Sequence, residues 1–201
     1  MTVPMESADL LAGFADPVME AQVVFRAALE ATAYPGRVVP MNAVPQAPSP
    51  LDRATGALAL ALLDFETPLW LDASARHGGA AAWLGFHCGT PIVDAPQAAH
   101  FALCTAPDAM PHFVEMAQGD AEYPDRSATV ILQVPSLENG EKSTWRGPGI
   151  LGSTAAGIAG LPEWFWTEWD ANHELYPAGV DIFFSCGNAI VGLPRTIRVE
   201  G

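Results

Sequence analysis

The fold is decided by residues 180–193, which read Val180-Asp181-Ile182-Phe183-Phe184-Ser185-Cys186-Gly187-Asn188-Ala189-Ile190-Val191-Gly192-Leu193. Two apolar runs, rich in β-branched and aromatic residues, flank Gly187-Asn188, a pattern typical of a β-hairpin. Residues 180–185 and 189–193 are therefore predicted to be two antiparallel strands.

Outward from this hairpin, short apolar strands alternate with helical segments. The predicted strands are residues 37–41, 69–71, 92–93, 101–104, 128–134 and 143–146, and the predicted helices are residues 17–33, 51–63, 73–86, 108–118 and 161–173. Residues 128–134 and 143–146 flank Glu138-Asn139-Gly140-Glu141, whose Asn-Gly pair predicts a second hairpin. The pattern predicts an α/β fold, a three-layer α/β/α sandwich with a mixed sheet and helices on its faces.

Composition bounds the class of protein. The chain has 201 residues, half of them apolar, which predicts a single domain over residues 1–201 with a flexible start at residues 1–14. The net charge of -14 disfavours binding to nucleic acid or to an anionic membrane. No apolar stretch approaches the roughly 18 residues that cross a bilayer, and no basic residue precedes Arg26 as in a secretory signal. With three widely spaced cysteines, an odd number, we expect a cytoplasmic protein with reduced thiols.

One stretch matches a nucleotide-binding pattern in its letters. Residues 147–152 read Gly147-Pro148-Gly149-Ile150-Leu151-Gly152, a G-x-G-x-x-G motif. A dinucleotide-binding loop should follow the first strand of a βαβ unit, whereas this motif follows a predicted hairpin strand, and Pro148 lacks an amide proton. Two interpretations stay open here, a nucleotide loop and a glycine-rich turn.

Other chemistry is disfavoured by what the sequence lacks. His87-Cys88 is the only adjacent pair of soft metal ligands, so no metal site is expected, and no G-x-S-x-G nucleophile motif occurs. The single lysine, Lys142, lies beside a polar turn, which disfavours a pyridoxal-phosphate Schiff base. We therefore expect no cofactor.

Arginines and tryptophans supply the remaining candidates. Four arginines could hold an anion, although a surface ion pair is the simpler interpretation of each: Arg26, Arg126, Arg146 and Arg195. In the predicted helix over 161–173, Leu161, Phe165 and Trp169 fit one stripe facing the sheet. This leaves Trp164 and Trp166 as candidate interface residues, with burial between layers as the alternative.

Six sequence blocks together resemble the H-subunit family of the bacterial carbon-phosphorus lyase system (PhnH). The blocks are Phe25-Arg26 with Tyr34-Pro35-Gly36, Leu62-Leu63-Asp64 with Thr67-Pro68-Leu69-Trp70-Leu71, Phe86-His87 with Pro91, Ala128-Thr129-Val130-Ile131-Leu132-Gln133-Val134, Gly147-Pro148-Gly149-Ile150, and Pro177-Ala178-Gly179-Val180-Asp181 with Leu193-Pro194-Arg195-Thr196. Their order and spacing extend from about residue 15 to the end of the chain.

The resemblance implies a cytoplasmic homodimer that works with the G, I and J subunits. That system converts ATP and methylphosphonate into ribose 1-methylphosphonate 5-triphosphate and releases adenine. It also implies a fold like a reduced pyridoxal-phosphate transferase domain without its cofactor. The family supplies no catalytic residue, so the expected role is a complex subunit without independent activity. The alternative is a transferase that binds nucleotide or phosphonate in its own arginine-lined pocket.

Two further expectations concern surfaces. Six tryptophans and an apolar half of the chain suggest more apolar surface than one domain can hide, which favours a homodimer. Any anionic ligand is expected near Arg26 and Arg195, with Asp181 holding one of these arginines. The alternative is that Asp181 and Arg195 form a structural ion pair.

Overall fold

The computed structural model describes residues 11–200. Its helices are α1 (Pro17–Ala33), α2 (Arg53–Leu62), α3 (Ala73–His77), α4 (Gly79–Cys88) and α5 (Phe165–Glu174). Its strands are β1 (Val39–Pro40), β2 (Leu69–Leu71), β3 (Ile92–Val93), β4 (Phe101–Cys104), β5 (Thr129–Gln133), β6 (Ser143–Arg146), β7 (Thr154–Ala156), β8 (Asp181–Cys186), β9 (Ala189–Leu193) and β10 (Arg198–Glu200). Short 3-10 turns lie at Pro96–Ala98, Pro107–Ala109, Phe113–Glu115 and Pro124–Arg126.

A seven-stranded mixed sheet forms the centre, in the order β1-β9-β8-β5-β4-β2-β3. Strand β9 runs antiparallel to both of its neighbours, and the other neighbouring pairs are parallel. Strands β8 and β9 are the hairpin predicted from residues 180–193, with Ile182 opposite Leu193 and Cys186 opposite Ala189. The α/β class and the mixed sheet are confirmed.

The two faces of this sheet are covered differently. Helices α1 to α4 pack on one face, where Trp83 and Leu58 are completely buried. On the other face lie α5, whose Phe165 and Trp169 are completely buried as predicted, and a second sheet of three strands in the order β10-β6-β7. Helices therefore form one outer layer, and the other combines a helix with a small antiparallel sheet.

The predicted helix over residues 108–118 is wrong. Two separate 3-10 turns, Pro107–Ala109 and Phe113–Glu115, lie here instead of a continuous helix. Pro111 lies between them, has no amide proton to donate, and disfavours a helical conformation at the residue before it. Met110 and Phe113 are instead buried in the same core cluster as Phe165 and Trp169 of α5.

The second predicted hairpin is also wrong. Strand β5 lies between β4 and β8, so both of its edges are already hydrogen-bonded. Strand β6 pairs instead with β7 and β10 in the second sheet.

The predicted helix over residues 73–86 is divided at Gly78, whose extended backbone ends α3 and precedes α4.

The start of the chain can be followed from Leu11. Residues 1–10, which make up most of the predicted flexible start, lie outside the described residues. The Leu11 carbonyl accepts a hydrogen bond from Trp83 Nε1 at 2.8 Å, which ties the approach to α1 onto α4. Over residues 11–200, no helix combines the length and the apolar character needed to cross a membrane.

Candidate functional site

The two residues predicted to pair at the last hairpin do lie together. Asp181 opens β8, and Arg195 follows β9, so the antiparallel register brings the two side chains to the same end of the sheet. Arg195 Nε donates to both oxygens of Asp181 at 3.1 Å, and Nη2 also contacts Asp181 Oδ2. The Asp181 carboxylate further accepts the backbone N–H of Arg195 at 2.7 Å.

The remaining donors of Arg195 are bound to its own chain. Nη1 donates to the carbonyls of Pro124 and Pro177, at 3.1 and 3.3 Å, and Nη2 also donates to Ser127 Oγ. A guanidinium has five N–H donors, and here all of them have protein acceptors. With only 14% of the Arg195 side chain exposed, this geometry favours the structural ion pair over a ligand contact.

Arg26 does not join this pair. It lies on the exposed side of α1 and lines a shallow depression with Glu30, Val39 and Asn42. Val39 pairs with Ile190 near the turn of the β8–β9 hairpin, whereas Arg195 follows the opposite end of β9. The structure therefore brings together Asp181 and Arg195 but not Arg26.

The two candidate interface tryptophans flank the start of α5 and are half-buried. The ring centres of Trp164 and His112 are 4.5 Å apart. His112 in turn contacts Glu168, with 2.5 Å between Nδ1 and Oε1. Trp166 packs edge-on against Phe165 and lines a groove of about 540 Å³ with Glu141 and Glu163. Both side chains thus contact the parent core and keep an exposed part.

A polar cluster that the sequence patterns did not predict lies at the carboxyl ends of the parallel strands. Asp72 follows β2 and accepts the N–H of Ala75 at 2.8 Å and both donors of Thr105, the backbone N–H at 2.6 Å and Oγ1 at 2.7 Å. Gln133, the last residue of β5, accepts the Asp52 N–H at 2.6 Å and donates to the Pro50 carbonyl at 3.1 Å.

This cluster is buried and satisfied by its own hydrogen bonds. Thr55 Oγ1 and Ser185 Oγ, both completely buried, are 2.8 Å apart and complete it. Ligands commonly bind at this edge of an α/β sheet, but here Gln133 is hydrogen-bonded to Pro50 and Asp52, in the segment just before α2. The sequence signal that could have located it was a polar residue at the end of each of these strands: Asp72 and Thr105 directly follow β2 and β4, and Gln133 and Ser185 are the last and next-to-last residues of β5 and β8.

The G-x-G-x-x-G motif is a turn joining β6 to β7. The Ile150 N–H donates to the Gly147 carbonyl at 3.1 Å, and Gly149 has a φ of +84°, so Pro148-Gly149 occupies the centre of a type II turn. A strand, not a helix, follows the motif. The structure therefore favours the glycine-rich turn over a dinucleotide-binding loop.

This turn packs against the end of α1 and leaves a depression beside it. A Cβ at Gly149 would lie 2.1 Å from the Ala33 carbonyl oxygen, so only glycine allows the approach. The depression has a volume of about 230 Å³. It is lined by Tyr34, Arg37, Gly149, Leu151, Ser153 and Thr154, among others.

The cysteines are poor nucleophiles. Burial raises the pKa of the Cys88 thiol to about 12, with a smaller contribution from the Asp64 carboxylate. Burial, reinforced by Asp72, also raises the pKa of Cys104 far above its usual range, and the pKa of Cys186 is raised in the same way by burial and Asp52. Among residues 11–200, no three acidic, histidine or cysteine side chains are grouped so as to hold a metal ion.

Comparison with known proteins gives consistent matches. The family described as bacterial phosphonate metabolism protein (PhnH) matches residues 12–200. A protein of Rhizobium meliloti (strain 1021), named alpha-D-ribose 1-methylphosphonate 5-triphosphate synthase subunit PhnH, is 39% identical over 187 residues, which cover 93% of this chain and 94% of that protein. HtxG of Stutzerimonas stutzeri, provisionally named a C-P lyase subunit protein, is 29% identical over 185 residues, 89% of this chain and 85% of that protein. Because the family match spans residues 12–200, this chain belongs to the PhnH family of bacterial phosphonate metabolism proteins.

Proposed function

We propose that this chain is a subunit of a carbon-phosphorus lyase assembly. Its role there is in forming ribose 1-methylphosphonate 5-triphosphate from ATP and methylphosphonate, with release of adenine. The observation that carries the proposal is the 39% identity to the Rhizobium meliloti synthase subunit, which extends over 93% of this chain. The name of HtxG, a C-P lyase subunit protein, supports membership of such an assembly.

The chain contributes binding rather than chemistry of its own. The raised thiol pKa values keep Cys88, Cys104 and Cys186 protonated near neutral pH, where they are weak nucleophiles. The carboxyl edge of the parallel strands, the usual location of a ligand in such sheets, is filled by mutually bonded side chains. Both features support a subunit that needs its partners for activity.

The proposed partners are the G, I and J subunits and a second copy of this chain, in the cytoplasm. Helix α1 supports protein contacts because Val18, Phe25 and Leu29 are 78%, 46% and 52% exposed. Their spacing of seven and four residues places them on one side of the helix, away from the buried Val24 and Ala28. An exposed apolar stripe of this kind is typical of an interaction surface.

Two finer expectations belong to the same proposal. The whole chain, residues 1–201, acts as one domain, and its fold derives from a reduced pyridoxal-phosphate transferase domain. The location of Lys142 agrees with the loss of that cofactor, since its Nζ donates to the Glu138 carbonyl at 3.0 Å in an exposed loop.

The second candidate is a transferase that binds nucleotide or phosphonate without partners. Arg195 does not support it, but the depression beside Arg37 does, because this arginine is 59% exposed and has one long contact, 3.4 Å, to Glu30. An enzyme of this kind would release adenine without the G, I and J subunits.

The test is reconstitution. The chain is purified alone and together with the G, I and J subunits, and adenine release from ATP and methylphosphonate is measured by chromatography. We expect one co-eluting complex, with adenine release only when all four are present. Adenine release by the chain alone would support the second candidate, and full activity without the chain would overturn the proposal.

A further inference from the structure

We infer that the depression between the end of α1 and the β6–β7 turn binds a phosphorus oxyanion, the phosphoryl or phosphonyl group of a small molecule. The inference stands on this depression and does not need the assembled complex. Only the choice of methylphosphonate and ATP as probes rests on the proposed function.

The lining is rich in hydrogen-bond donors. Arg37 supplies a guanidinium, and Tyr34, Ser153 and Thr154 supply hydroxyl groups. Within residues 11–200, the hydrogen bonds of the turn leave the backbone N–H of Leu151, a lining residue, without a protein acceptor. Oxyanions with several acceptor oxygens suit such a set of donors.

Charge separates this depression from the two that border α5. No carboxylate lines it, although the chain has a net charge of -14. By contrast, Glu141 and Glu163 line the groove beside Trp166, and in a depression next to α5 the carboxylates of Asp170, Glu174 and Glu200 outnumber the one arginine, Arg198. An anion would be repelled at those two surfaces and attracted at this one.

Arg37 is held in place yet keeps most of its donors. Its guanidinium lies 4.9 Å from the centre of the Tyr34 ring, and Nη1 contacts Glu30 Oε1 at 3.4 Å. Arg195, with all five donors bound, is the opposite case. An arginine oriented by an aromatic ring can offer two parallel N–H groups to a phosphoryl or phosphonyl group.

The glycines shape the depression. The turn can approach Ala33 because Gly149 has no side chain, and a Cβ at Gly36 would lie 2.9 Å from Thr154 Cγ2. These contacts join Tyr34-Pro35-Gly36 to the β6–β7 turn, two of the sequence blocks that carry the family resemblance. The last carbonyls of α1 carry partial negative charge at this point, so the attraction must come from Arg37.

Binding is measured by calorimetry on the full-length chain, with methylphosphonate, inorganic phosphate, triphosphate, ATP and acetate as separate probes. We expect the phosphorus compounds to bind and acetate not to. Arg37→Lys should weaken binding about ten- to a hundredfold, because a two-pronged charged contact is lost. The control is Arg198→Lys, which changes another exposed arginine with one long contact, 3.7 Å to Glu174, and should leave affinity unchanged.

Each outcome decides the inference. Tighter binding of ATP than of triphosphate would support it and identify the oxyanion as part of a nucleotide, and equal binding of methylphosphonate and phosphate would support it for the phosphorus group alone. Absence of binding by every phosphorus compound, or unchanged affinity in Arg37→Lys, would overturn it. Adenine release by the complex is a separate measurement, so the proposed function can survive the loss of this site.

Discussion

Among the candidate ligand-binding residues, Arg195 makes the most hydrogen bonds to its own chain, and these bonds stabilise the fold. Arg195→Lys removes the planar fork that reaches Asp181, Ser127 and two carbonyls, and an ammonium can satisfy only some of these acceptors. We expect the free energy of unfolding in urea to fall by about 2 kcal/mol.

Arg198→Lys is the matched control for this change. Arg198 is 60% exposed and makes one long ion pair, so its replacement should change stability by less than about 0.5 kcal/mol. Equal stability of both variants would show that Arg195 is not structural. In that case the predicted ligand role of Arg195 would regain support.

Cys88 makes stability depend on pH. Its folded pKa, about 12, lies above the value of about 8.5 expected in the unfolded chain. The stabilisation is therefore complete below the unfolded pKa and is lost as pH rises towards the folded pKa, by at most about 1.4 kcal/mol per pH unit.

Cys88→Ala should flatten the decline of unfolding free energy between about pH 9 and 11. Cys186→Ala is the control: the pKa of Cys186 is raised too, but its sulfur is more exposed, so its replacement should flatten the decline less. Urea unfolding at several pH values measures both. An unchanged pH profile in Cys88→Ala would contradict the effect of burial on this thiol.

At the scale of elements, the β6–β7 turn and the end of α1 are joined through a glycine. Gly149→Ala forces a Cβ to within 2.1 Å of the Ala33 carbonyl oxygen and also strains a φ of +84°. We expect a loss of about 3 kcal/mol, the sum of roughly 1 kcal/mol of left-handed backbone strain and the cost of overpacking. Thermal unfolding followed by circular dichroism measures the change.

Gly152→Ala separates strain from steric contact. Gly152 has a similar φ of +76°, but nothing lies within 4 Å of the position that a Cβ would take, so only the strain of about 1 kcal/mol remains. Two equally destabilised variants would mean that the turn moves away from α1 at little cost.

Local patterns predicted the elements best where the sequence itself carries the boundary. Helix α1 was predicted with its observed bounds because Asp16 caps it and Pro17 starts it, and strands β2, β3, β4 and β6 also have their predicted bounds. The second hairpin failed because strand partners depend on contacts distant in sequence: β5 lies between β4 and β8. Strands β7 and β10 were missed because Thr154–Ala156 and Arg198–Glu200 contain no run of β-branched or aromatic residues, whereas the equally short β2 is the apolar run Leu69–Leu71.

The candidate site, too, could be predicted only where it depends on residues close in sequence. The pairing of Asp181 with Arg195 followed from hairpin register, which is local information. Arg195 also binds Pro124, which is 71 residues away in sequence, and Arg37 lies beside the distant β6–β7 turn. Such proximity is a property of the fold, and no short motif encodes it.

At the scale of the whole molecule, two surfaces compete as the proposed interface between copies. Trp164 and Trp166 are half-buried against their own core and have acidic neighbours in Glu163 and Glu168. The apolar stripe on α1 is more exposed, with Val18 at 78%. Burial of apolar surface drives association, so we expect α1 to contribute more.

The prediction is that a double variant, Phe25→Ser with Leu29→Ser, is monomeric. Each substitution removes an exposed apolar side chain without touching the buried side of α1, so the melting temperature should stay within a few degrees of the parent. Light scattering at micromolar concentration should give about 42 kDa for the parent chain, twice its 21.2 kDa, and about 21 kDa for the variant.

Val114→Ser is the control, because Val114 is also 78% exposed but lies in the 3-10 turn that packs beside α5, and it should remain at the parent mass. A parent chain that is monomeric would contradict the homodimer itself. A double variant still at twice the chain mass would place the interface elsewhere, and Trp166→Ser would then test the surface beside α5.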